Sequence, residues 1–376
     1  CKASNIWTHG TWLDYFTFSS SYKEVKSFMN ILVTGGAGYI GSHTVVELIE
    51  NGYNVIILDN LANSSENVIF TLRKLTGKEI PFFKGDLVDK SFLRDVFESC
   101  KIDACIHFAA LKAVNESIHK PLEYYRNNID GTLSLIEVMR EYGCKNLIYS
   151  SSATVYGNSK CQPLCEDFPR GTCTNPYGWT KVMLEQILSD VSYSDEKWNM
   201  IFLRYFNPIG AHKSGLMGDS PNGVPANIMP YITQVAVGKL NKLRIFGGDY
   251  ETKDGTCIRD FVHVMDIASG HVAALKQMFS SSFSGLDVYN LGTGKGYSIL
   301  ELVQTFQQVT GKIIPYEIGE RREGDVAVCY ANVSKASEKL GWTAKYNLAE
   351  MCSDAWNWQK KNPNGYYEAE CPELGR

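Results

Sequence analysis

The feature that most constrains the fold of this chain is a glycine-rich turn at residues 34–41. The segment TGGAGYIG directly follows an apolar run, NILVT, and directly precedes a stretch with helical patterning. Its glycines, Gly35, Gly38 and Gly41, are spaced as GxxGxxG. This spacing permits a tight turn, a close approach of backbone N–H groups to a pyrophosphate, and close packing of helix on strand. The turn therefore predicts a dinucleotide-binding strand–turn–helix unit.

An acidic residue at a suitable distance narrows the choice of cofactor. Asp59 follows Gly41 by 18 residues (59 − 41) and ends a second apolar run. A carboxylate there can bind the adenosine ribose hydroxyls and repel a 2′-phosphate, so NAD is favoured over NADP. A glycine-rich turn without a ligand is the alternative. It is less favoured because the strand, the helix and the acidic residue all occur at the positions that the motif requires.

Short β-branched runs alternate with helical patterns from Met29 onward. The runs are nearly continuous in apolar residues, which is typical of strands covered on both faces. The predicted strands are Asn30–Thr34, Asn54–Leu58, Ile80–Lys84, Ala104–Phe108, Asn146–Ser150 and Met200–Arg204. Helical patterns between them include Ser42–Asn51 and Thr132–Tyr142. The sequence thus predicts an α/β fold with a doubly wound parallel, Rossmann-type sheet.

The regular alternation ends after residue 207, and the later elements are shorter, which predicts a second, smaller α/β substrate lobe. We expect an NAD-binding domain at 29–207 and a substrate-binding lobe at 208–362 that interleaves in part with it. A loose tail is expected at 363–376. Residues 1–28 lack the charged and apolar regions of a secretory signal. They are expected to be a non-native or disordered leader outside the fold.

Tyr177 and Lys181 form a YxxxK pair. Asn175-Pro176 before them is typical of a helix N-cap followed by proline at the first helical position. An i,i+4 pair shares one helix face. A lysine ammonium near the phenol favours the phenolate, and such a tyrosine can act as a general base near neutral pH. Alone, the motif also fits an exposed tyrosine and lysine.

A serine-rich segment, SSSATVYG, follows the fifth predicted strand at residues 150–157. Ligands of open α/β sheets bind beyond the carboxyl ends of strands. Ser152, 25 residues before Tyr177 (177 − 152), is placed to hydrogen-bond a reacting hydroxyl and relay its proton. A serine-rich turn without function is the alternative. It is less favoured because three independent signals coincide at one edge of one sheet.

The three motifs together resemble the extended short-chain dehydrogenase/reductase superfamily, and further segments resemble the UDP-galactose 4-epimerases. These segments are HFAALKAV at 107–114, LRYFNP at 203–208, GTCIRDFVH at 255–263 and RREGD at 321–325. The resemblance extends from Met29 to about Asn362. It implies reversible oxidation at C4 of a UDP-hexose with bound NAD, a UDP-sugar partner and a homodimer.

The resemblance also implies roles for individual residues. Tyr177, Lys181 and Ser152 match the catalytic group. The cofactor positions are the glycine turn together with Tyr39, Ile40, Asp59, Asn60, Asp86, Leu87, Phe108, Lys112, Asn127, Tyr177, Lys181 and Phe206. The substrate positions are Ser152, Asn207, Asn227, Phe246, Arg259, Arg322, Asp325 and Cys329. Arginine forks suit a diphosphate, and an aspartate can accept from ribose hydroxyls.

Several positions depart from the family pattern. Ala110 and Asn115 stand where glycines are usual, and Trp179 replaces a basic or polar residue within YxxxK. Cys329 occupies a position where bacterial members carry tyrosine and animal-type members carry cysteine. A smaller side chain leaves room beside the sugar for an N-acetyl group. We therefore expect interconversion of UDP-GlcNAc and UDP-GalNAc as well.

The composition disfavours other classes of function. A net charge of −4 gives no reason to expect nucleic acid or an anionic membrane as partner. No apolar run approaches the roughly 20 residues that span a bilayer. The 11 cysteines and 7 histidines show no CxxC or HExxH spacing, so no metal site is expected. Such cysteine usage is typical of reduced thiols, and a cytoplasmic location is expected.

Two alternative functions stay open at this stage. A nucleotide-sugar 4,6-dehydratase needs an Asp-Glu pair after the active-site serine or threonine, whereas Ala153 and Thr154 follow Ser152 here. A non-catalytic NAD-binding regulator on the same fold typically loses the Tyr/Lys pair, which this chain retains. Both alternatives are therefore weaker than the epimerase.

Overall fold

The computed structural model describes residues 29–159, 161–322 and 324–368 of the 376-residue chain. The expected leader at 1–28 and the expected tail beyond residue 368 lie outside the described residues. The strands are Asn30–Thr34 (β1), Asn54–Asp59 (β2), Phe82–Lys84 (β3), Ala104–His107 (β4), Asn146–Ser152 (β5), Asn199–Tyr205 (β6), Asn207–Ile209 (β7), Leu243–Phe246 (β8), Ile258–Arg259 (β9), Phe261–His263 (β10), Gly285–Leu291 (β11), Tyr297–Ser298 (β12), Tyr316–Gly319 (β13) and Val328–Cys329 (β14).

The α-helices are Tyr39–Glu50 (α1), Asn67–Thr76 (α2), Lys90–Ser99 (α3), Val114–His119 (α4), Pro121–Tyr125 (α5), Gly131–Glu141 (α6), Pro176–Ser194 (α7), Ile228–Ala236 (α8), Val264–Met278 (α9), Ile299–Thr310 (α10), Ser334–Leu340 (α11) and Leu348–Lys361 (α12). A π-helical turn covers Arg126–Asp130, and 3₁₀ turns cover Ala153–Tyr156 and Gly365–Glu368. Within the described part of the chain, no helix combines the length and apolarity needed to cross a lipid bilayer.

A seven-stranded parallel sheet in the order β11-β6-β5-β4-β1-β2-β3 forms the centre of the molecule. It contains all six strands predicted from the sequence, with ends shifted by at most two residues. The chain order reverses between β1 and β4, so the carboxyl ends of these strands border the crevice where such sheets bind ligands. The predicted doubly wound, Rossmann-type fold is confirmed.

The seventh strand, β11, was not predicted. It pairs with β6 at the edge of the sheet, and only its last three residues are fully buried. Its sequence, GLDVYNL, therefore lacks the continuous apolar character of a central strand. Helix α9 also comes from beyond residue 208 and packs on α1. Two elements of the later sequence thus complete the first domain, and the boundary at 207/208 stays a prediction.

Apolar side chains cover both faces of the sheet. Ile31 and Val33 of β1 pack in one cluster with residues of α1 and α9. Leu32, between them, points the other way and packs with residues of α6 and α7. This alternation follows from the two-residue period of a strand. Burial on both faces explains why the central strands are continuously apolar.

A smaller lobe packs around a third apolar cluster, to which α8, α10 and α12 contribute Ile232, Phe306 and Met351. It includes the parallel pair β8–β13 and the three-stranded sheet β12–β9–β14. In the latter sheet, Arg259 of β9 lies opposite Cys329 of β14. The second lobe predicted from the sequence is therefore present.

The last described turn is packed against the protein, in contrast to the loose tail expected from residue 363. Tyr366 is only 9% exposed, and its ring lies 4.7 Å from that of Trp358. Its hydroxyl donates to the Gly218 carbonyl oxygen at 3.2 Å and accepts from the Gly218 N–H at 3.1 Å. One buried aromatic side chain thus fixes a segment whose composition is otherwise polar.

Candidate active site

One cleft at the carboxyl edge of the sheet contains most of the predicted site residues. It includes every residue that the sequence analysis assigned to catalysis or to the cofactor, and also Asn207 and Asn227. The predicted residues that line it are Gly35, Gly38, Tyr39, Ile40, Gly41, Asp59, Asn60, Asp86, Leu87, Phe108, Lys112, Asn127, Ser152, Tyr177, Lys181, Phe206, Asn207 and Asn227. Phe246, Arg259, Arg322, Asp325 and Cys329 do not line it.

The glycine turn forms one wall of this cleft and leaves no space for a side chain at Gly35 or Gly41. A Cβ atom added at Gly41 would lie 2.2 Å from the Gly35 carbonyl oxygen, and one at Gly35 would lie 2.7 Å from the Ala109 nitrogen. Gly35 also has a positive φ of 70°, which glycine adopts without strain. Helix α1 begins after Gly38 without a side-chain cap. Its first N–H groups are therefore available to an anionic ligand.

Asp59 ends β2 beside the glycine turn. Its carboxylate accepts hydrogen bonds from the backbone N–H groups of Ala37 (3.0 Å) and Leu61 (2.8 Å) and from the Ser64 hydroxyl (3.2 Å). Burial raises the pKa of Asp59, and these hydrogen bonds lower it. The carboxylate is held by three donors, and it lines the cleft at the position expected for recognition of an adenosine ribose.

Helix α7 carries Tyr177 and Lys181 into the cleft. As predicted, Asn175 is its N-cap and accepts from the Gly178 N–H at 2.8 Å, and Pro176 is its first residue. Proline suits this position because its missing N–H would be unpaired in any case. The cap fixes the start of the helix one turn before Lys181. The start of α7, and hence the shared helix face of the two residues, is therefore determined by local sequence.

Ser152, at the end of β5, lies beside Tyr177. Its oxygen accepts from the Thr154 N–H at 3.2 Å, which leaves its hydrogen free for donation. Burial raises the pKa of Tyr177, and the nearby Ser152 hydroxyl, a smaller effect, lowers it. The serine therefore lies near enough to the phenol to affect its protonation.

The sequence predicted the Lys181 ammonium near the Tyr177 phenol, and the structure shows it hydrogen-bonded to the backbone of β5. Nζ donates to the Ser150 carbonyl oxygen at 2.5 Å and lies 4.8 Å from the centre of the Tyr149 ring. Lys181 is only 4% exposed, and burial lowers its pKa to about 7, while the charge of Glu185 raises it. Ser152 is the group that lowers the pKa of Tyr177.

The five predicted substrate residues outside the cleft form a second cluster. Arg322 makes a bidentate ion pair with Asp325 (2.8 and 3.1 Å), and Arg259 lies 3.7 Å from the same carboxylate. The Arg322 guanidinium lies 5.6 Å from the centre of the Phe246 ring. Cys329 is next to Arg259 in the sheet. Two arginines share one carboxylate, so the cluster retains an excess positive charge.

A glycine connects this cluster to helix α7. A Cβ atom at Gly324 would lie 2.5 Å from the side-chain oxygen of Thr174, the residue before the N-cap of α7. The loop that carries Arg322 and Asp325 therefore lies against the start of the helix that carries Tyr177. The two groups of predicted residues are neighbours in the fold.

Two cleft residues gave no sequence signal. Asp219 and Tyr366 line the cleft. Burial raises the pKa of Asp219, while the positive charge of Lys112 and a hydrogen bond from Asn227 lower it. Asp219 lies in an irregular loop, and Tyr366 lies in the segment expected to be loose. Neither position shows a spacing that would have singled it out. Among the residues that the structure describes, no cluster of His, Cys, Asp or Glu could hold a metal ion.

Comparison with known proteins identifies the family. A family model described as GDP-mannose 4,6 dehydratase matches residues 32–355. The UDP-glucose 4-epimerase of Bacillus subtilis (strain 168) is 55% identical over 342 residues, which cover 91% of this chain and 100% of that protein.

Solved structures agree with this similarity. The UDP-glucose 4-epimerase from Bifidobacterium longum, crystallised with NAD⁺ and UDP, is 49% identical with a TM-score of 0.87, over 90% of this chain and 100% of that one. The UDP-Glc/GlcNAc 4-epimerase from Campylobacter jejuni is 38% identical with a TM-score of 0.77, over 89% and 99% of the two chains. The chain therefore belongs to the broad family of the dehydratase model and, within it, to the UDP-glucose 4-epimerase family.

Proposed function

We propose that this chain interconverts UDP-galactose and UDP-glucose by transient oxidation at C4 of the hexose with a tightly bound NAD. The observation that carries the proposal is that Ser152, Tyr177 and Lys181 line the same cleft as the glycine turn and Asp59. A proton acceptor thus lies beside a dinucleotide site, as reversible oxidation of an alcohol requires. The relatives from B. subtilis and B. longum are UDP-glucose 4-epimerases, which supports the same activity.

The residues of the cleft fit NAD. The turn at Gly35–Gly41 has no side chains at its glycines that would block a pyrophosphate. Its backbone N–H groups can therefore approach this group closely. Asp59 would bind the adenosine ribose hydroxyls, and its charge would disfavour a 2′-phosphate. Lys112 and Asn127 would complete the cofactor contacts. When bound, NAD supplies the acceptor and donor of the hydride, and its positive ring favours the phenolate form of a nearby tyrosine.

Tyr177 would take the proton from the 4-hydroxyl of the sugar and return it to the 4-keto sugar after the hexose has turned. Ser152 would donate to the reacting oxygen and relay the proton, because its own oxygen is already held by the Thr154 N–H. Lys181 would contribute positive charge beside the phenol when it is protonated. General acid–base catalysis of this kind contributes about 10²–10⁴-fold.

The arginine cluster would bind the UDP part of the substrate. Arg259 and Arg322 present planar forks suited to phosphate oxygens, and Asp325 holds both guanidinium groups in place. The Phe246 ring offers an apolar surface beside them. Binding through the remote nucleotide leaves the hexose loosely held, so that it can present both faces of C4 to the cofactor.

We further propose that N-acetylated UDP-hexoses are substrates. Cys329 is half-buried beside Arg259, and its side chain is shorter than the tyrosine of many bacterial relatives. The similar enzyme from C. jejuni is a UDP-Glc/GlcNAc 4-epimerase, which supports this extension. Absence of turnover with UDP-GalNAc, where UDP-galactose reacts, would contradict it.

A homodimer is also proposed. Helices α5 and α7 pack together and expose Leu122 and Met183, and α6, which follows α5 after the π-helical turn, exposes Leu133. Apolar side chains exposed on neighbouring helices are typical of an interface between subunits. Sedimentation equilibrium should give twice the mass of the chain, and a monomer at micromolar concentration would contradict the proposal.

A coupled assay with a UDP-glucose-specific dehydrogenase tests the main proposal. Purified protein with UDP-galactose should yield UDP-glucose without net reduction of added NAD⁺. A product with the methyl group of a 6-deoxy sugar, detected by NMR, would instead indicate the 4,6-dehydratase. Bound NAD without turnover of any UDP-hexose would indicate the non-catalytic regulator.

A further inference from the structure

A buried ion pair lies directly behind the catalytic residues. Glu185 of α7 and Arg204 of β6 are joined at 2.7 and 3.0 Å, and their side chains are 1% and 5% exposed. Glu185 also accepts from the Ser151 hydroxyl at 2.5 Å. Removing two charges from water is costly, and such a pair is weak support for stability. Its retention at this place therefore calls for a functional reason.

The carboxylate of Glu185 connects the three elements that carry the site. It belongs to the helix of Tyr177 and Lys181, binds Ser151 next to Ser152, and binds Arg204, two residues before Phe206. Both of its oxygens are occupied, so its position is fixed. A shift of α7 against β5 would break these bonds.

The same carboxylate supplies negative charge to Lys181, which lies one helical turn away. Arg204 donates two hydrogen bonds to this carboxylate and one to the Glu166 carbonyl oxygen at 3.1 Å, and its guanidinium lies 4.8 Å from the centre of the Tyr156 ring. Arg204 therefore offsets part of the charge of Glu185, yet Glu185 is the charged group that raises the pKa of Lys181.

The other titratable groups that face Lys181 are neutral. Burial lowers the pKa of His107 on β4 to about 3, and it raises those of Tyr149 on β5, Tyr205 on β6 and Tyr177 on α7 itself. In this set, Glu185 is the carboxylate whose charge favours the protonated form of the buried lysine. Its paired partner Arg204 is the other ionised group.

We propose that Glu185 is a positioning residue of the active site, which fixes Ser152 relative to α7 and maintains the positive charge of Lys181. The proposal rests on the proposed function, because it assigns Lys181 a charged role in the reaction. A merely structural ion pair would stabilise the fold without affecting the pH dependence of turnover.

Three variants separate these roles. Glu185→Gln removes the charge but leaves Arg204 unpaired, so the fold is expected to lose stability. Glu185→Gln combined with Arg204→Met removes both charges and is expected to recover the thermal midpoint. Asp266→Asn is the matched control, because Asp266 is a buried carboxylate that accepts from the backbone of Lys345 and Tyr346, away from the cleft.

The readouts are the thermal midpoint, retained NAD and the pH profile of kcat and kcat/KM. Both Glu185 variants should bind NAD, lose about tenfold or more in kcat, and show the alkaline limb displaced by about one pH unit to lower pH. Asp266→Asn should lower the thermal midpoint only. A double variant whose kcat and pH profile equal those of the wild type would overturn the proposal. Absence of wild-type epimerisation would instead contradict the proposed function.

Discussion

The side-chain nitrogen of Lys181 donates to the backbone carbonyl oxygen of Ser150 over 2.5 Å. This bond ties the catalytic helix to the end of β5, two residues before Ser152. It also holds an ionisable nitrogen in a position that is almost entirely shielded from water. The lysine is therefore both a tether and a buried charge, and both roles have measurable consequences.

Replacement of Lys181 by methionine should change the pH dependence of stability. Burial lowers the pKa of Lys181 from 10.5 to about 7 in the folded state. Between these values the unfolded chain binds the proton more tightly, so the stability of the wild type rises with pH. Urea unfolding at about pH 7 and pH 9 should show a gain on the order of 1–2 kcal/mol for the wild type relative to Lys181→Met. Parallel pH dependences would contradict the buried, shifted lysine.

Replacement of Asp59 by asparagine should weaken NAD binding and relax discrimination against NADP. The amide can still accept from the backbone, so the fold should persist, but the charged acceptor for the ribose hydroxyls is lost. A charged hydrogen bond contributes about 1.5–3 kcal/mol, so the NAD affinity should fall about tenfold or more. Asp103→Asn, at the amino edge of the sheet, is the control. Unchanged NAD affinity in Asp59→Asn would refute the assignment.

Alanine at Gly41 should abolish retention of NAD. The added Cβ would lie 2.2 Å from the Gly35 carbonyl oxygen, and relieving this overlap deforms the turn. Overpacking of this kind costs about 1–3 kcal/mol. Gly131→Ala is the matched control, because its Cβ would make an ordinary contact of 3.4 Å with Leu87. Ultraviolet spectra of both purified variants would report bound NAD, and equal retention would refute the role of the turn.

Tyrosine at position 329 should reduce turnover of UDP-GalNAc and preserve that of UDP-galactose. The tyrosine ring, which is larger than the cysteine side chain, would occupy the space beside Arg259 that is proposed for the N-acetyl group. The ratio of kcat/KM for the two substrates should fall by about tenfold or more, since steric overlap costs about 1–3 kcal/mol. Serine at the same position is the control for loss of the thiol. An unchanged ratio in Cys329→Tyr would place the N-acetyl group elsewhere.

Much of the fold was predictable because its determinants are local. The glycine turn, the Asn175 cap and the apolar strands depend on neighbouring residues, and each is found where the sequence indicated. The switch point follows from the strand order. The convergence of Ser152, Tyr177 and Lys181 in one cleft follows in turn from the rule that ligands bind at the carboxyl edge of such a sheet.

The features that were not predictable depend on distant contacts. Strand β11 is an edge strand with partial burial, so its sequence lacks the apolar signal of a central strand. Tyr366 is buried by Trp358 and the Gly218 backbone, which no local pattern reveals. The ion pair between Glu185 and Arg204 joins a helix to a strand. Only the i,i+4 spacing of Glu185 from Lys181 would have indicated its relevance.

The central claim is that the phenol of Tyr177 transfers the proton during epimerisation in a cleft that binds NAD independently of it. The most direct measurement compares epimerisation of UDP-galactose and the amount of bound NAD in the wild type and Tyr177→Phe. The account predicts a loss of about 10²–10⁴-fold in kcat, with NAD retained and the thermal midpoint preserved. Wild-type turnover in Tyr177→Phe would contradict it.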